Sequence, residues 1–364
     1  MLYVHIPFCK SRCTYCGFYS TTALWLQRRY ADALCREHML RCGNAAAPPT
    51  TVYIGGGTPS TLPPALLGQL FDTIGGAAEV TIECNPDDVT PDFCASLRHT
   101  PVNRVSMGAQ TFSDERLRFI GRRHTSRQVA GAVDNLRRAG IGNISIDIMY
   151  GFPGETLADW LSDIDSALAL GVEHLSAYAL TVEEGTALQR QLARGVVRAA
   201  DEELSRTMYY ALLDRAGAAG YEHYEISNFA RPGYRSRHNS GYWNHTPYTG
   251  LGAAAHSFDG RRRQWNVADI VKYMEGVESG HMDTCGETLS DDSLYNEKVM
   301  TALRTCEGLP LGAVTEGQRS YCLGMARRYI DGGLLCHDTH SDRLRLTRQG
   351  LFVSDMVIAD LMIA

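Results

Sequence analysis

Short apolar runs alternate with amphipathic stretches of helical spacing through the first half of the chain. Strands are predicted at 2–6, 51–54, 80–84, 104–107, 144–149 and 174–180. Helices are predicted at 23–41, 64–74, 91–97, 126–139, 157–170 and 201–216. Strands that alternate with helices form parallel sheets with right-handed crossovers. Six such strands are fewer than the eight of a closed barrel. The pattern therefore predicts an α/β fold with an open, partial (β/α)6 barrel.

Polar residues occur at the carboxyl ends of these predicted strands. Glu83 ends the third strand, Gln110 follows the fourth, and Asp147 lies within the fifth. Polar βα turns are common, but they do not explain carboxylates within strands that a parallel sheet buries on both faces. Because active sites of parallel barrels gather at the carboxyl ends of the strands, these residues predict a single site at the barrel mouth.

Three cysteines follow the first predicted strand closely. Cys9, Cys13 and Cys16 have the spacing Cys-x3-Cys-x2-Cys. A [4Fe–4S] cluster is held by cysteine thiolates, and three of them can bind three irons and leave the fourth open to a small chelating ligand. The alternative is a zinc site without a nearby fourth ligand, although structural zinc takes four protein ligands. The spacing favours the cluster.

Composition and charge narrow the class of protein. The chain has 364 residues, of which 44% are hydrophobic and 21% charged, as in globular proteins large enough for two domains. A formal net charge of −6 gives no electrostatic basis for nucleic acid as a partner. No apolar run reaches the roughly 20 residues of a membrane-spanning helix, and the amino terminus lacks a signal-peptide pattern. Together with 11 unevenly spaced cysteines, these features predict a cytoplasmic protein.

The residues around the cysteines resemble a known family. Tyr15 precedes the third cysteine, and the sequence before the motif is His5-Ile6-Pro7-Phe8-Cys9. Both resemble the radical S-adenosylmethionine (SAM) superfamily and, within it, the HemW-type heme chaperones and the oxygen-independent coproporphyrinogen III oxidases. The resemblance implies a partial barrel and a [4Fe–4S] cluster whose open iron takes the amino and carboxylate groups of SAM. One electron from the cluster then cleaves SAM to methionine and a 5′-deoxyadenosyl radical.

One position separates the two groups within the family. The oxidases carry a further cysteine two residues after the third, where this chain has Phe18. The difference favours a heme chaperone over the alternative, a coproporphyrinogen III dehydrogenase of porphyrin biosynthesis. Whether SAM is cleaved in function stays open, and with it whether the protein is an enzyme.

The resemblance also implies the residues that contact SAM. The run Gly55-Gly56-Gly57-Thr58-Pro59 lets the backbone approach a ligand closely, although a tight turn would use the same residues. The positions that match SAM-contacting residues of the family are Tyr3, Tyr15, Gly56, Gly57, Thr58, Glu83, Gln110, Arg122, Asp147 and Ala179. In the oxidases part of this set belongs to a second SAM, so the number of SAM molecules stays open. From charge alone, Arg122 and Arg123 fit a solvated basic patch equally well.

A segment rich in aromatic residues follows, from 224 to 258. Its rings can cover a flat apolar ligand or fill a small core of their own. The run from 238 to 243 resembles the His-Asn-x-x-Tyr-Trp motif associated with heme in the chaperone group. The heme-binding residues implied in this way are His238, Asn239, Tyr242 and Trp243. Histidine commonly holds heme iron, and His245 and His256 are rival ligands to His238.

Three regions are expected along the chain. They are a partial barrel at 1–220, an aromatic-rich connecting and heme-binding region at 221–285, and a small winged-helix-like domain at 286–364. Winged helices often bind DNA, but no basic recognition face is present here, so a docking or covering role is expected. The implied partners are heme, a heme-acceptor protein that can be membrane-associated, and an electron donor if SAM is cleaved. The oligomeric state is left open, a dimer included.

Overall fold

A computed structural model describes residues 1–43 and 48–363 of the chain. Six parallel strands form its centre: β1 (Leu2–Ile6), β2 (Thr51–Gly56), β3 (Glu79–Cys84), β4 (Arg104–Gln110), β5 (Asn143–Tyr150) and β6 (His174–Ala179). They pair in sequence order from β1 to β6. Each strand connects to the next through helical segments, as the alternating pattern predicts.

Helices follow each of these strands along the chain. They are α1 (Gln27–Cys42), α2 (Pro64–Ile74), α3 (Pro91–Leu97), α4 (Asp114–Phe119), α5 (Ser126–Arg138), α6 (Leu157–Ala169), α7 (Ala187–Ala193) and α8 (Glu202–Ala218). α2 and α3 have the predicted bounds, and α3 begins where Thr90 caps it by accepting a hydrogen bond from the Phe93 amide (3.2 Å). α4 and α7, of six and seven residues, were not predicted.

The strands carry an apolar outer face and a polar inner face. In β3, Val80 and Ile82 belong to the main hydrophobic core, whereas Glu83 lies on the opposite face. In β4, Val105 is in the core and Arg104 faces inward. Both faces are buried, as expected of a parallel sheet, but the inside of the curve is lined by polar side chains. This alternation places the carboxylates where a ligand can reach them.

Residues 221–285 add to this sheet. The antiparallel strands β7 (Glu222–Glu225) and β8 (Asn228–Ala230) extend it beyond β6, and the parallel strand β9 (Thr249–Leu251) extends it beyond β1. Nine strands thus form one sheet within the described residues, and its two edges do not pair. The α/β fold with an open, partial barrel is confirmed.

The rest of this region consists of two helices and a small antiparallel sheet. The helices are α9 (Arg237–Trp243) and α10 (Ile270–Ser279), and the strands are β10 (His256–Phe258), β11 (Arg262–Asn266) and β12 (Thr284–Thr288). α10 packs on α1, while α9 carries the histidine motif.

A C-terminal domain with its own hydrophobic core follows. It comprises α11 (Asp291–Leu303), β13 (Leu309–Pro310), α12 (Glu316–Asp331), β14 (Leu335–Asp338), β15 (Arg343–Leu346), α13 (Arg348–Leu351) and α14 (Ser354–Leu361). Its strands form a three-stranded antiparallel sheet in the order β13-β15-β14. Among the helices described, none combines the length and the hydropathy needed to cross a membrane.

Candidate cluster and cofactor site

The three cysteines lie in the loop that leaves β1. Two backbone hydrogen bonds close this loop: the Cys9 amide donates to the Thr21 carbonyl (2.9 Å), and the Thr21 amide donates to the Pro7 carbonyl (2.7 Å). Cys9, Cys13 and Cys16 are all half-buried and line one cavity. Its empty volume, including the open mouth, is about 910 Å³. The fold therefore brings the three predicted ligands around a single space.

The donor set fits a cluster better than a single metal ion. Within residues 1–43 and 48–363, no group of three or more His, Cys, Asp or Glu side chains is placed to hold one ion, which counts against the zinc alternative. A four-iron cluster is larger than an ion and is held by thiolates spread around it. Thr58 Oγ1 donates to Cys9 Sγ (3.5 Å), and Arg122 Nη1 donates to Cys13 Sγ (3.7 Å). Both contacts stabilise a thiolate, which is the form that binds metal.

Burial raises the pKa of the Cys9 and Cys16 thiols, and repulsion from Cys13 adds to this effect. Desolvation disfavours the charged thiolate. Metal coordination favours the thiolate instead, because a coordinated thiol is deprotonated. The free loop therefore holds neutral thiols at these two positions, and cluster binding releases their protons.

The glycine run packs directly against the cysteine loop. Gly56 adopts a φ of 115°, and a Cβ at this position would lie 2.5 Å from the His5 ring. A Cβ at Gly57 would lie 2.7 Å from the backbone carbonyl carbon of Pro7. Gly56, Gly57 and Thr58 line the cluster cavity as a result. Close approach of two backbones, and not only a turn, requires glycine here.

Two half-buried carboxylates face the same cavity. Glu83 accepts hydrogen bonds from the Tyr53 hydroxyl (2.7 Å) and the Gly56 amide (3.0 Å), and burial raises its pKa to about 7. Asp147 accepts from the Ser106 hydroxyl (3.3 Å), and burial raises its pKa as well. Such carboxylates can accept further hydrogen bonds from amino and hydroxyl groups of a ligand.

An irregular end of β4 brings Gln110 and Arg122 to the cavity. Gln110 has a φ of 68°, and the pairing of β4 with β5 shifts register between Gly108 and Gln110. Backbone in this region is strained for a residue other than glycine. Arg122 donates to the Gly108 carbonyl, and its Nε is buried without a partner among the described residues. The solvated-patch interpretation fits Arg123, which pairs with Asp87, but not Arg122.

The three remaining predicted SAM contacts differ in their position relative to the cluster cavity. Tyr15 lines the cluster cavity. Tyr3 lies behind it, with its hydroxyl 2.9 Å from His5 Nδ1. Ala179 lines a second, larger cavity of about 2050 Å³, including its open side, which lies between the barrel and the C-terminal domain. The two cavities share Glu83 and Asp147 in their walls.

The histidine motif forms α9, which is anchored inside the curve of the sheet. The amides of Arg237 and His238 donate to the Glu79 carboxylate, at 2.9 Å each. His238 is fully buried, with its ring nitrogens 2.8 Å from Thr51 Oγ1 and 3.0 Å from the Tyr242 hydroxyl. Burial lowers the pKa of His238 to about 3, so its imidazole is neutral at physiological pH.

The other residues of the motif lie on different sides of α9. Asn239 lines the second cavity, whereas Tyr242 lies behind it, against His238. The Arg304 guanidinium lies over the Trp243 ring, with its central carbon 5.4 Å from the ring centre. The Trp243 Nε1 is buried without a partner among the described residues. The structure therefore brings only part of the motif to a cavity.

The rival histidines lie away from both cavities. His245 Nε2 is 2.9 Å from Thr301 Oγ1 in the C-terminal domain, and His256 stacks on Trp265 in the small antiparallel sheet. Neither residue lines the cluster cavity or the second cavity.

Several residues in the cavity walls were missed by the sequence reasoning. They are Tyr53, Arg104, Ser106, Ser176 and Tyr178. Each lies on the inner face of a strand, where every second side chain points. The alternation of polar and apolar residues at 104–108 carries the signal that could have placed Arg104 and Ser106 on one face.

Comparison with known proteins assigns the chain to a family. The model of the radical SAM superfamily matches residues 3–167, and that of the HemN C-terminal domain matches residues 289–353. The heme chaperone HemW of Mycobacterium tuberculosis is 37% identical over 99% of this chain and 94% of its own. The heme chaperone HemW of Bacillus subtilis is 34% identical over 84% of each chain. This chain belongs to the HemW heme chaperone family.

A solved structure supports the fold assignment. The coproporphyrinogen III oxidase (HemN) of Escherichia coli, a radical SAM enzyme, matches with a TM-score of 0.84 and 22% identity. The match covers 99% of this chain and 89% of that chain. At this identity the likeness shows the fold alone: a radical SAM barrel followed by a C-terminal domain. The radical SAM family in turn implies a [4Fe–4S] cluster and SAM.

Proposed function

We propose that this protein is a heme chaperone, which binds heme and transfers it to an acceptor protein. The observation that carries the proposal is its 34–37% identity to HemW heme chaperones over most of the chain. Phe18, which is 70% exposed beside the cysteine loop, adds to it because the oxidases carry a further cysteine there. The alternative of a coproporphyrinogen III dehydrogenase is therefore not favoured.

In this proposal the cluster cavity holds a [4Fe–4S] cluster and SAM. When bound, the cluster supplies the electron with which SAM can be cleaved. The chain itself positions SAM: Gly56 and Gly57 allow close backbone approach, and Glu83 and Asp147 accept hydrogen bonds. The proposed cluster ligands are Cys9, Cys13 and Cys16. The other proposed SAM contacts are Tyr3, Tyr15, Thr58, Gln110, Arg122 and Ala179.

The second cavity, next to α9, is the proposed heme site. Its wall contains Met149, Leu351 and Phe352, whose apolar surfaces suit the face of a porphyrin. Asn239 contributes a polar group to the same wall. His238 is fully buried behind this wall and does not line the cavity. It is the proposed axial ligand because a neutral imidazole is the form that binds metal, and its Nε2 would first have to leave the Tyr242 hydroxyl and turn toward the cavity.

In this proposal, each of the three regions of the chain has a separate role. Residues 1–220 hold the cluster and SAM, 221–285 supply the heme-binding motif, and 286–364 cover the second cavity. The partners are heme, a heme-acceptor protein and, if SAM is cleaved, an electron donor. A cytoplasmic location follows from the use of cysteine for metal binding.

The proposal is tested by two assays on one anaerobically purified sample. Iron, sulfide and heme are titrated, and the same protein is supplied with coproporphyrinogen III, SAM and a reductant. A heme chaperone binds stoichiometric heme and converts no coproporphyrinogen. Steady formation of protoporphyrinogen with SAM consumed in proportion would transfer the protein to the dehydrogenase class.

A further inference from the structure

Arg104, the first residue of β4, carries a buried guanidinium without a bonded partner. The residue is 1% exposed, and its Nε and Nη1 atoms have no hydrogen-bond acceptor among the described residues. Glu83 and Asp147 are near enough to feel its charge, but they accept hydrogen bonds from Tyr53 and Ser106 instead. An unpartnered buried charge is unfavourable. Its presence in a cavity wall therefore calls for an acceptor that a ligand supplies.

The guanidinium lines the second cavity, well below the cluster. Arg104 precedes Gly108, a residue of the cluster cavity, by four positions on β4. At roughly 3.3 Å per residue, the two backbone positions are about 13 Å apart along the strand. A SAM whose carboxylate is committed at the cluster cannot present that carboxylate to Arg104. The ligand group that reaches Arg104 must extend separately into the barrel.

The other charged residues of the second cavity leave Arg104 as the place where an anionic ligand group fits. The carboxylates of the wall are Glu83, Asp147, Glu183 and Asp355. The second cation, Arg304, is already paired with Glu225 (3.0 Å) and stacked on Trp243. Of the two arginines in this wall, Arg104 is the one whose N–H groups lack acceptors among the described residues. The side-chain amide of Asn239 adds a neutral hydrogen-bond donor to the same cavity.

We propose that Arg104 and Asn239 form a carboxylate-binding subsite at the inner end of the second cavity. A guanidinium binds a carboxylate through two parallel hydrogen bonds. Heme carries such groups as propionates, and SAM carries one at its amino-acid end. The geometry favours a heme propionate, and that identification rests on the proposed heme-binding function. The apolar residues Leu351 and Phe352 then face the porphyrin while its propionate reaches inward.

The test compares Arg104→Gln with a matched control, Arg206→Gln. Arg206 lies on the exposed face of α8 and pairs only one turn away with Glu203. Each full-length variant is reconstituted anaerobically with its cluster and titrated separately with hemin, hemin dimethyl ester and SAM. Thermal unfolding of the ligand-free protein is measured in parallel. The ester lacks the carboxylate charges but keeps the porphyrin.

Arg104→Gln is expected to weaken hemin binding about tenfold or more, because a charge-assisted hydrogen bond is lost. It is also expected to abolish the preference of the wild type for hemin over the ester, and to leave SAM affinity unchanged. The unfolding midpoint stays the same or rises, since no bond within the chain is removed. Arg206→Gln changes none of these quantities.

The other outcomes are equally informative. A tenfold loss of affinity for a second SAM, with hemin binding intact, supports the subsite but assigns it to the carboxylate of that second SAM. Unchanged affinity for both ligands, or a lowered midpoint alone, overturns the proposal and makes Arg104 structural. If the wild type binds no hemin, the proposed function fails, and the SAM titration decides the subsite by itself. If Arg104→Gln does not fold, Arg104→Lys takes its place, because lysine keeps the charge but loses the paired geometry.

Discussion

Glu83 provides a pH-dependent test of how the site is built. Its carboxyl group lies on the inner face of β3, where burial raises its pKa to about 7. Replacing it by glutamine keeps the shape and an oxygen for the Tyr53 hydroxyl, but removes the titration. The hydrogen bond from the Gly56 amide (3.0 Å) is kept or lost according to how the new amide is oriented, and that effect does not depend on pH.

The sign of the effect follows from linkage. A carboxyl group whose pKa is higher in the folded chain favours folding most at low pH, and this contribution is lost as the pH rises through the folded pKa. The pKa of Glu83 rises from the usual 4.5 to about 7 on folding. At about 1.36 kcal/mol per pKa unit, this difference corresponds to roughly 3 kcal/mol of unfolding free energy. Relative to the wild type, Glu83→Gln is therefore expected to gain up to about 3 kcal/mol of unfolding free energy between pH 4.5 and pH 8.

Urea denaturation of the ligand-free protein at several pH values measures this difference directly. The cysteines and the other titrating groups that lie away from Glu83 are shared by the two proteins, so their contributions cancel in the comparison. Glu83→Asp serves as a control that keeps a titrating carboxyl group. A stability difference that is the same at pH 5 and pH 8 would refute the assignment of Glu83 as the half-buried, weakly acidic group.

Three further expectations concern the ligands. Cys13→Ala should abolish the cluster absorbance after anaerobic reconstitution while the protein stays folded by circular dichroism; full four-iron content would contradict the ligand assignment. Asp147→Ala should weaken SAM binding by about tenfold or more in isothermal titration, because a hydrogen bond to a charged group contributes roughly 1.5–3 kcal/mol, and unchanged affinity would remove Asp147 from the site. His238→Ala should change the heme absorption spectrum, whereas Tyr242→Phe, which frees Nε2, should preserve it. An unaltered spectrum in His238→Ala would redirect the search to His245 or His256.

The parallel strands could be predicted because their signal is local. The strand at 2–6 and the helix at 64–74 have the observed bounds, since apolar spacing within a few residues decides each. β7, β8 and β9 could not be placed in the sheet in this way. They have three or four residues each, and their pairing depends on the exposed edges of β6 and β1, which are far away in the sequence.

The same distinction applies to the site. Cys9, Cys13 and Cys16 are close in sequence, so their spacing alone indicates a shared ligand. The alternation at 104–108 places Arg104 on the same strand face as Ser106, but it does not show that this face lines a cavity, because a single arginine at a strand start is most often exposed. Only the curvature of the sheet, which turns the inner face of β4 toward α9, makes this residue part of a cavity wall.

A continuous set of contacts links the histidine motif to the SAM-binding residues. The His238 ring lies against the Tyr53 ring, with centres 5.2 Å apart. The Tyr53 hydroxyl donates to Glu83, which in turn accepts from the Gly56 amide beside the cysteine loop. A change at His238, such as release from Tyr242, therefore alters the packing of the residue that holds Glu83 in place. Since coupling between two binding sites is reciprocal, any effect of heme beside α9 on SAM affinity would be matched by an equal effect of SAM on heme affinity. The polar inner face of the sheet thus joins the two proposed ligand sites through one row of contacting side chains, from His238 through Tyr53 to Glu83.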